Sequence, residues 1–235
     1  MFAREDGDVP DSIWLRPERA ARGPAPEHSR EEIAATAIGI ADERGLPAVT
    51  MRAVAGALGS GPASLYRYVA SRDELLELMV NEVHGELDYT RLGSGDWLAD
   101  LLVLAHESRA GYLRHPWMIE LASTRVAVGP SAMDFLEHAL AAMSTLDVDA
   151  ITKLETVGLL GGMVVMLTRA ELGDQQSPEV QQARAAYVGA VAAEGRHPHL
   201  AAVVFAAASG PAAPTEPLFD RVVTRMLTGL LRAEG

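Results

Sequence analysis

The sequence predicts an all-α protein, and three observations carry that reading. Apolar residues recur at intervals of three and four along most of the chain. The period-two alternation of half-buried strands is nearly absent. Ala, Leu, Val, Glu and Arg dominate, while aromatics make up only 5% of residues. A chain of 235 residues with 49% hydrophobic content can bury a sizeable core, as one large domain or two modest ones. With no Cys, a disulfide framework and a thiolate metal site are both excluded.

Residues 1–28 form an N-terminal arm rich in Pro, Arg and acids, with one apolar patch at Ile13, Trp14 and Leu15. Two readings stand: a loose leader, or a segment in which Trp14 docks on the body while Arg16, Arg19 and Arg22 reach a minor groove. The acidic start lacks the apolar run of a secretory signal, so the chain is expected in the cytoplasm. The longest apolar run, residues 157–167, is about half of the roughly 20 residues that cross a bilayer, so no membrane span is expected.

A first helix begins at the cap Ser29, with Glu32 completing a capping box, and ends at Gly45. Thr50 caps a second helix in which Met51, Val54, Ala55 and Leu58 share one face. Gly59, Ser60 and Gly61 break the chain, and Pro62 suits the first turn of a short third helix. There Leu65 and Val69 point inward, leaving Ser64, Tyr66, Arg67 and Tyr68 outward or at the rim. Two short helices joined at a Gly-containing break are the parts of a helix-turn-helix. Tyr and Arg on the open face suit phosphates, and small residues such as Ala63 allow approach to base edges. Ser71 and Glu74 make a second capping box, opening a long fourth helix.

These four elements resemble the N-terminal DNA-binding domain of the tetracycline-repressor-like (TetR) family, through L-G-x-x-x-x-S-L-Y-R-Y-V at residues 58–69 and the segment Arg72 to Leu76. The resemblance implies base-proximal roles for Pro62, Ala63, Ser64 and Arg67, and phosphate roles for Thr50, Tyr66, Tyr68 and Arg72. Arg52, Ser60 and Gly61 complete the candidate DNA-facing set. Arg72 stands where the family usually has Lys, and Gly61 and Pro62 where many members carry longer polar side chains.

Downstream, helices are expected from Trp97 to Arg114, after His115 and Pro116, from Gly129 and Pro130, from Ala150 to Leu172, from Gln176 to Glu194, from His197 to Ala208, and over Phe219 to Leu231. The motifs W-L-x-D-L-L, H-P-W and G-P-S-A are similar to the C-terminal domain of the tetracycline-repressor branch. Boundaries of 29–75 for the DNA-binding unit and 76–235 for an effector-binding and dimerisation domain follow. Trp117, Met118, Met133, Phe135, His138, Met163 and Met166 are candidates to line an effector cavity, since Met adapts to varied ligands. The resemblance also implies a homodimer through a four-helix bundle, with Leu159 and Gly162 of the long helix and Phe219, Val222, Val223, Met226, Leu227 and Leu230 of the last helix at the interface.

The formal net charge is −12, and most of the acid lies downstream: residues 29–75 carry five Arg against six acids. Such a near-neutral module must bind DNA through a few well-placed groups rather than bulk charge. No nucleophile elbow, P-loop, zinc-protease or dinucleotide motif is present, so no catalytic residue, cofactor or metal is expected. The expected function is a ligand-responsive regulator, a repressor that binds a near-palindromic double-stranded operator as a homodimer and is released by a small-molecule effector. A helical small-molecule- or protein-binding module of the same fold that does not regulate DNA is the alternative.

Overall fold

The computed structural model describes residues 12–16, 27–122, 129–173, 178–209 and 217–231. Among them are eleven α-helices, two short 3-10 turns (Ile13–Leu15 and Leu46–Ala48) and no strand. The first four helices are α1 (Arg30–Arg44), α2 (Met51–Ala57), α3 (Pro62–Leu65) and α4 (Arg72–Gly85). The body follows with α5 (Trp97–Arg114), α6 (Met118–Ala122), α7 (Pro130–Ala142) and α8 (Ala150–Gly173). Last come α9 (Pro178–Ala193), α10 (Pro198–Ser209) and α11 (Leu218–Leu231).

The helix starts are set by side chains that satisfy orphan backbone donors. Ser29 Oγ accepts from the Glu32 N–H at 3.1 Å, Thr50 Oγ1 from Ala53 at 3.1 Å, and Ser71 Oγ from Glu74 at 3.2 Å. Glu74 reaches back, and its carboxylate accepts from the Ala70 N–H at 2.7 Å. Gly59, at φ +71°, makes the reversal after α2 in a conformation that side-chain-bearing residues rarely adopt. In the loop before α5, buried Asp100 accepts from Gly93 N–H at 3.1 Å and from the Ser94 hydroxyl at 2.7 Å.

Two apolar cores result. The first gathers Ile33, Ala37, Val54, Leu65, Val69, Leu75, Leu76, Met79 and Val83, so it runs past residue 75 to Val83 in α4. It also takes in Ile13 from the arm and Trp117, Met118 and Leu121 from the body. The second gathers Leu101, Leu104, Met143, Leu160, Val164, Val223 and Leu227 from α5, α7, α8 and α11. Tyr112 packs against both.

Helices α9 and α10 pack chiefly on each other, and α10 has no buried residue. Helix α8 is the one described helix long and apolar enough to cross a membrane by length and composition, yet only 17% of its most apolar window is buried. Its buried stripe is Thr156, Leu160, Val164 and Thr168, while Leu159 and Met166 are 50% and 55% exposed. Three of the residues expected at the dimer seam, Phe219, Val223 and Leu227, instead face this chain's own core. They lie on the stripe with which α11 packs against α5 and α8, and a side chain buried there has no surface left for a partner.

Candidate functional site

Helices α2 and α3 are positioned as a unit by their inward residues, Val54, Ala55, Leu65 and Val69, all at 0% exposure. The opposite edge is open. Thr50, Arg52, Gly61, Pro62, Ala63, Tyr66, Arg67 and Arg72 are exposed, and Ser64 and Tyr68 half-buried. The Tyr66 ring, 53% exposed, is the largest apolar surface on this edge.

Several of these groups already have partners within the chain. The Arg67 guanidinium donates to Ser64 Oγ at 2.7 Å, so two candidate base-reading side chains are parked on each other. Tyr68 Oη accepts from the Glu27 N–H at 3.1 Å and keeps its own proton to donate. Arg72 is first of all a brace: its Nε donates to the Val49 carbonyl at 2.9 Å and its Nη2 to the Leu46 carbonyl at 3.1 Å. It thereby fixes the loop that presents Thr50. Ser60 does not belong on the DNA-facing edge. Its hydroxyl is buried without a partner, because the reversal at Gly59 folds Ser60 under the turn, where its N–H donates to the Ala55 carbonyl at 2.9 Å.

Among the described residues, the expected effector set is spread over several surroundings. Trp117 is 4% exposed, and its Nε1–H donates to Asp42 Oδ1 of α1 at 2.7 Å. It therefore joins α6 to the DNA-binding unit rather than facing a cavity. Met133 and Met166 lie on the outside, Phe135 and Met163 pack on the second core, and His138 stacks on Tyr89 with ring centres 4.2 Å apart. Met118 lines a cleft among the described residues.

That cleft, shallow and half open to solvent, lies at the seam of the two cores and encloses room for little more than a single water. It is lined by Val83, His84 and Leu87 of α4, Ser108, Gly111 and Tyr112 of α5, and Met118 of α6. Burial holds the His84 imidazole below its usual pKa, partly offset by its hydrogen bond to the Val80 carbonyl at 2.8 Å. That carbonyl places the ring proton on Nδ1, so a neutral ring keeps Nε2 as an acceptor. Burial pushes the Tyr112 phenol up, which keeps its proton in place as a donor. Ser108 donates to the Leu104 carbonyl at 2.9 Å and retains oxygen lone pairs. The sequence signal for this set is modest: polar residues interrupt the inward faces of α4 and α5. Among the described residues no group of three His, Cys, Asp or Glu is arranged to hold a metal ion.

A further contact joins the two halves. Asp42 Oδ1 also accepts from His115 Nδ1 at 2.8 Å, and His115 Nε2 lies 3.5 Å from Glu86. At the same end of α6, Arg169 of α8 donates to the Ile119 carbonyl at 3.1 Å.

A helix-turn-helix unit on the end of a helical body defines the class: a DNA-binding regulator. The comparisons name the family. Residues 33–79 match the model for bacterial regulatory proteins of the tetR family, and residues 90–233 that for the tetracyclin repressor-like C-terminal domain. The chain belongs to the TetR family of transcriptional regulators. It is 34% identical over 200 residues to the HTH-type transcriptional repressor DrrR1 of Streptomyces coeruleorubidus, covering 81% of this chain and 74% of that one. An HTH-type transcriptional regulator of Saccharopolyspora erythraea is 32% identical over 58% of this chain and 57% of its own length. Among solved structures, ActR of Streptomyces coelicolor in complex with (S)-DNPA superposes with a TM-score of 0.72 at 28% identity, covering 88% of this chain and 98% of that one. Its complex with actinorhodin gives 0.70 at 27% identity, covering 88% and 97%.

Proposed function

We propose that this regulator is a homodimeric repressor that reads a near-palindromic operator with two copies of the Gly61–Arg67 edge and leaves it when a small molecule opens and fills the α4–α5–α6 cleft. The observation that carries the DNA-reading part is the pairing of a rigid inner face, Val54, Ala55, Leu65 and Val69, with an open outer one bearing Tyr66 and Arg67. Pro62, Ala63 and Ser64 approach the bases, Arg67 swings from Ser64 to a base edge, and Thr50, Arg52, Tyr66, Tyr68 and Arg72 meet phosphates. Gly61 has an ordinary φ of −83°, and a Cβ there would meet nothing within 4 Å, so its smallness serves something outside the chain: the approaching duplex.

The dimer forms through the uncovered side of α8 and the rim of α11. Ile151, Leu154, Leu159 and Met166 are exposed, and a Cβ at Gly158 or Gly162 would meet nothing within 4 Å. Each Gly inside a helix costs up to about 1 kcal/mol relative to Ala, which a closely packed partner helix repays. Val222, Met226 and Leu230, half-buried, border that surface. Two-fold pairing would set the reading edges about 34–36 Å apart, one turn of duplex.

The effector, by the chemistry of the cleft, is an apolar molecule that carries hydroxyl and carbonyl groups to meet His84, Ser108 and Tyr112. That ActR is in complex with actinorhodin and with (S)-DNPA supports a small-molecule ligand for this chain. A hundredfold loss of operator affinity on binding needs about 2.7 kcal/mol of coupling. Gel shifts at two salt concentrations test the reading: Tyr66→Ala and Arg67→Ala weaken operator binding while the melting temperature holds, and unchanged affinity in both sinks it.

A further inference from the structure

The five described residues of the arm, Ser12–Arg16, make more contacts than a loose leader would, and with more than one part of the chain. The backbone closes one 3-10 turn, with the Leu15 N–H donating to the Ser12 carbonyl at 3.0 Å. Ile13, 1% exposed, sits in the first core, while Leu15, two residues on, is 80% exposed. The Arg30 guanidinium of α1 donates to the Ile13 carbonyl at 2.9 Å and to the Arg16 carbonyl at 3.2 Å. The Arg16 guanidinium pairs with Glu74 Oε2, the oxygen that accepts the Ala70 N–H between the reading helix and α4.

Trp14 turns the other way, toward the body. A Cβ on Gly129, the residue that opens α7, would lie 2.9 Å from Trp14 Cζ2 and 2.5 Å from Asn81 Oδ1. Gly129 has φ −153°, extended backbone that any residue adopts, so the close approach, not the conformation, calls for glycine. Asn81 of α4 accepts the Ser131 N–H of α7 at 3.0 Å in the same place. One short segment thus touches α1, the α3–α4 junction and the start of α7.

We propose that Ser12–Arg16 is a strap that fastens the DNA-reading unit to the body, with Trp14 and Arg16 as positioning residues for operator binding. They touch no DNA. Arg16 holds Glu74, and through it Ala70, in the link between α3 and α4, while Trp14 holds α7 against α4. Unfastened, the reading units sample placements that do not match the operator, and apparent affinity falls by the fraction that remains competent. A competent fraction of about one tenth gives a tenfold loss. The inference rests on the DNA-reading role proposed above, so Tyr66→Ala runs in parallel.

The test uses the full chain, an operator fragment selected from genomic DNA and a random duplex of equal length. Gly129→Ala undoes the strap from the body side, because its methyl must displace both Asn81 and Trp14, and Arg16→Gln undoes it at the partly buried ion pair without touching Asn81. Both are expected to weaken operator binding about tenfold, leave random-duplex binding unchanged, and speed hydrogen exchange in residues 130–133. Trp14→Phe takes away the outer ring of the indole, and with it the Cζ2 that meets Gly129, so it should weaken operator binding as Gly129→Ala does. If Arg16→Gln and Gly129→Ala lower the melting temperature while operator affinity and exchange at 130–133 stay as in wild type, the segment is only a core plug and the proposal is overturned. If Gly129→Ala fails to fold, Arg16→Gln alone decides. An effect of Tyr66→Ala without any effect of the strap variants refutes the strap and spares the reading role; no effect of Tyr66→Ala refutes the reading role itself.

Discussion

Removing the Asp42 carboxylate should cost more than its position near the surface suggests. Its Oδ1 accepts two N–H groups from the body, Trp117 Nε1 at 2.7 Å and His115 Nδ1 at 2.8 Å, and both donors are buried, at 4% and 8% exposure. Asp42→Ala leaves the indole N–H without an acceptor, a penalty of about 1–3 kcal/mol for a buried donor. The imidazole loses less, since Glu86 stands 3.5 Å from its other nitrogen and water reaches a site where Asp42 itself is 34% exposed. A total of about 2–3 kcal/mol translates to about 4–12 °C in melting temperature for a chain of this size. Asp42→Asn keeps one acceptor oxygen and should lose less than half of that. Thermal unfolding followed by circular dichroism reads both. A shift below about 1 °C for Asp42→Ala would mean that the joint between α1 and α6 carries no net stability, and the reasoning from buried donors would be wrong.

Two further predictions concern packing and pH. Leu227→Glu buries a carboxylate at a fully enclosed position and should unfold the chain or cost more than about 4 kcal/mol; Leu159→Glu, at a half-exposed position of α8, should leave the melting curve's secondary structure intact and give monomers by light scattering. His84 is held neutral by burial, so its folded pKa lies below the unfolded value. The unfolded chain then binds the proton first as pH falls through the ordinary imidazole range, and stability drops there until the folded ring also titrates. His84→Gln should remove that part of the slope between about pH 7 and 5, measured by urea unfolding; an identical slope would place the titration elsewhere.

The helix framework is legible in the sequence because it is written locally. Ser29, Thr50 and Ser71 stand three residues before the amides they cap, and Gly45 and Gly59 stand where the chain must turn. The site is less legible because its partners are far apart in sequence. Arg72 reads as a phosphate ligand alone, and its second role as a brace shows only when the carbonyls of Leu46 and Val49, more than twenty residues earlier, are seen to hold it. Trp117 reads as a pocket residue until Asp42, 75 residues away, receives its indole N–H. Helices α8 and α11 carry apolar residues on more than one face, so periodicity alone does not say which stripe meets the chain's own core. Val223 and Leu227 do; Leu159 and Met166 do not. Trp14 gave the one hint that the arm docks, since a Trp beside Ile is costly to leave in water.

The central claim, that the Gly61–Arg67 edge reads an operator, is tested most directly by selecting bound fragments from genomic DNA with the full chain and titrating the enriched fragment by fluorescence anisotropy. The account predicts a near-palindromic site whose half-site centres lie about 34–36 Å apart, bound by two chains, and an affinity lost when Tyr66 and Arg67 are replaced by Ala. Enrichment of no common sequence, or an enriched site that the doubly substituted chain binds as tightly as the wild type, would contradict it.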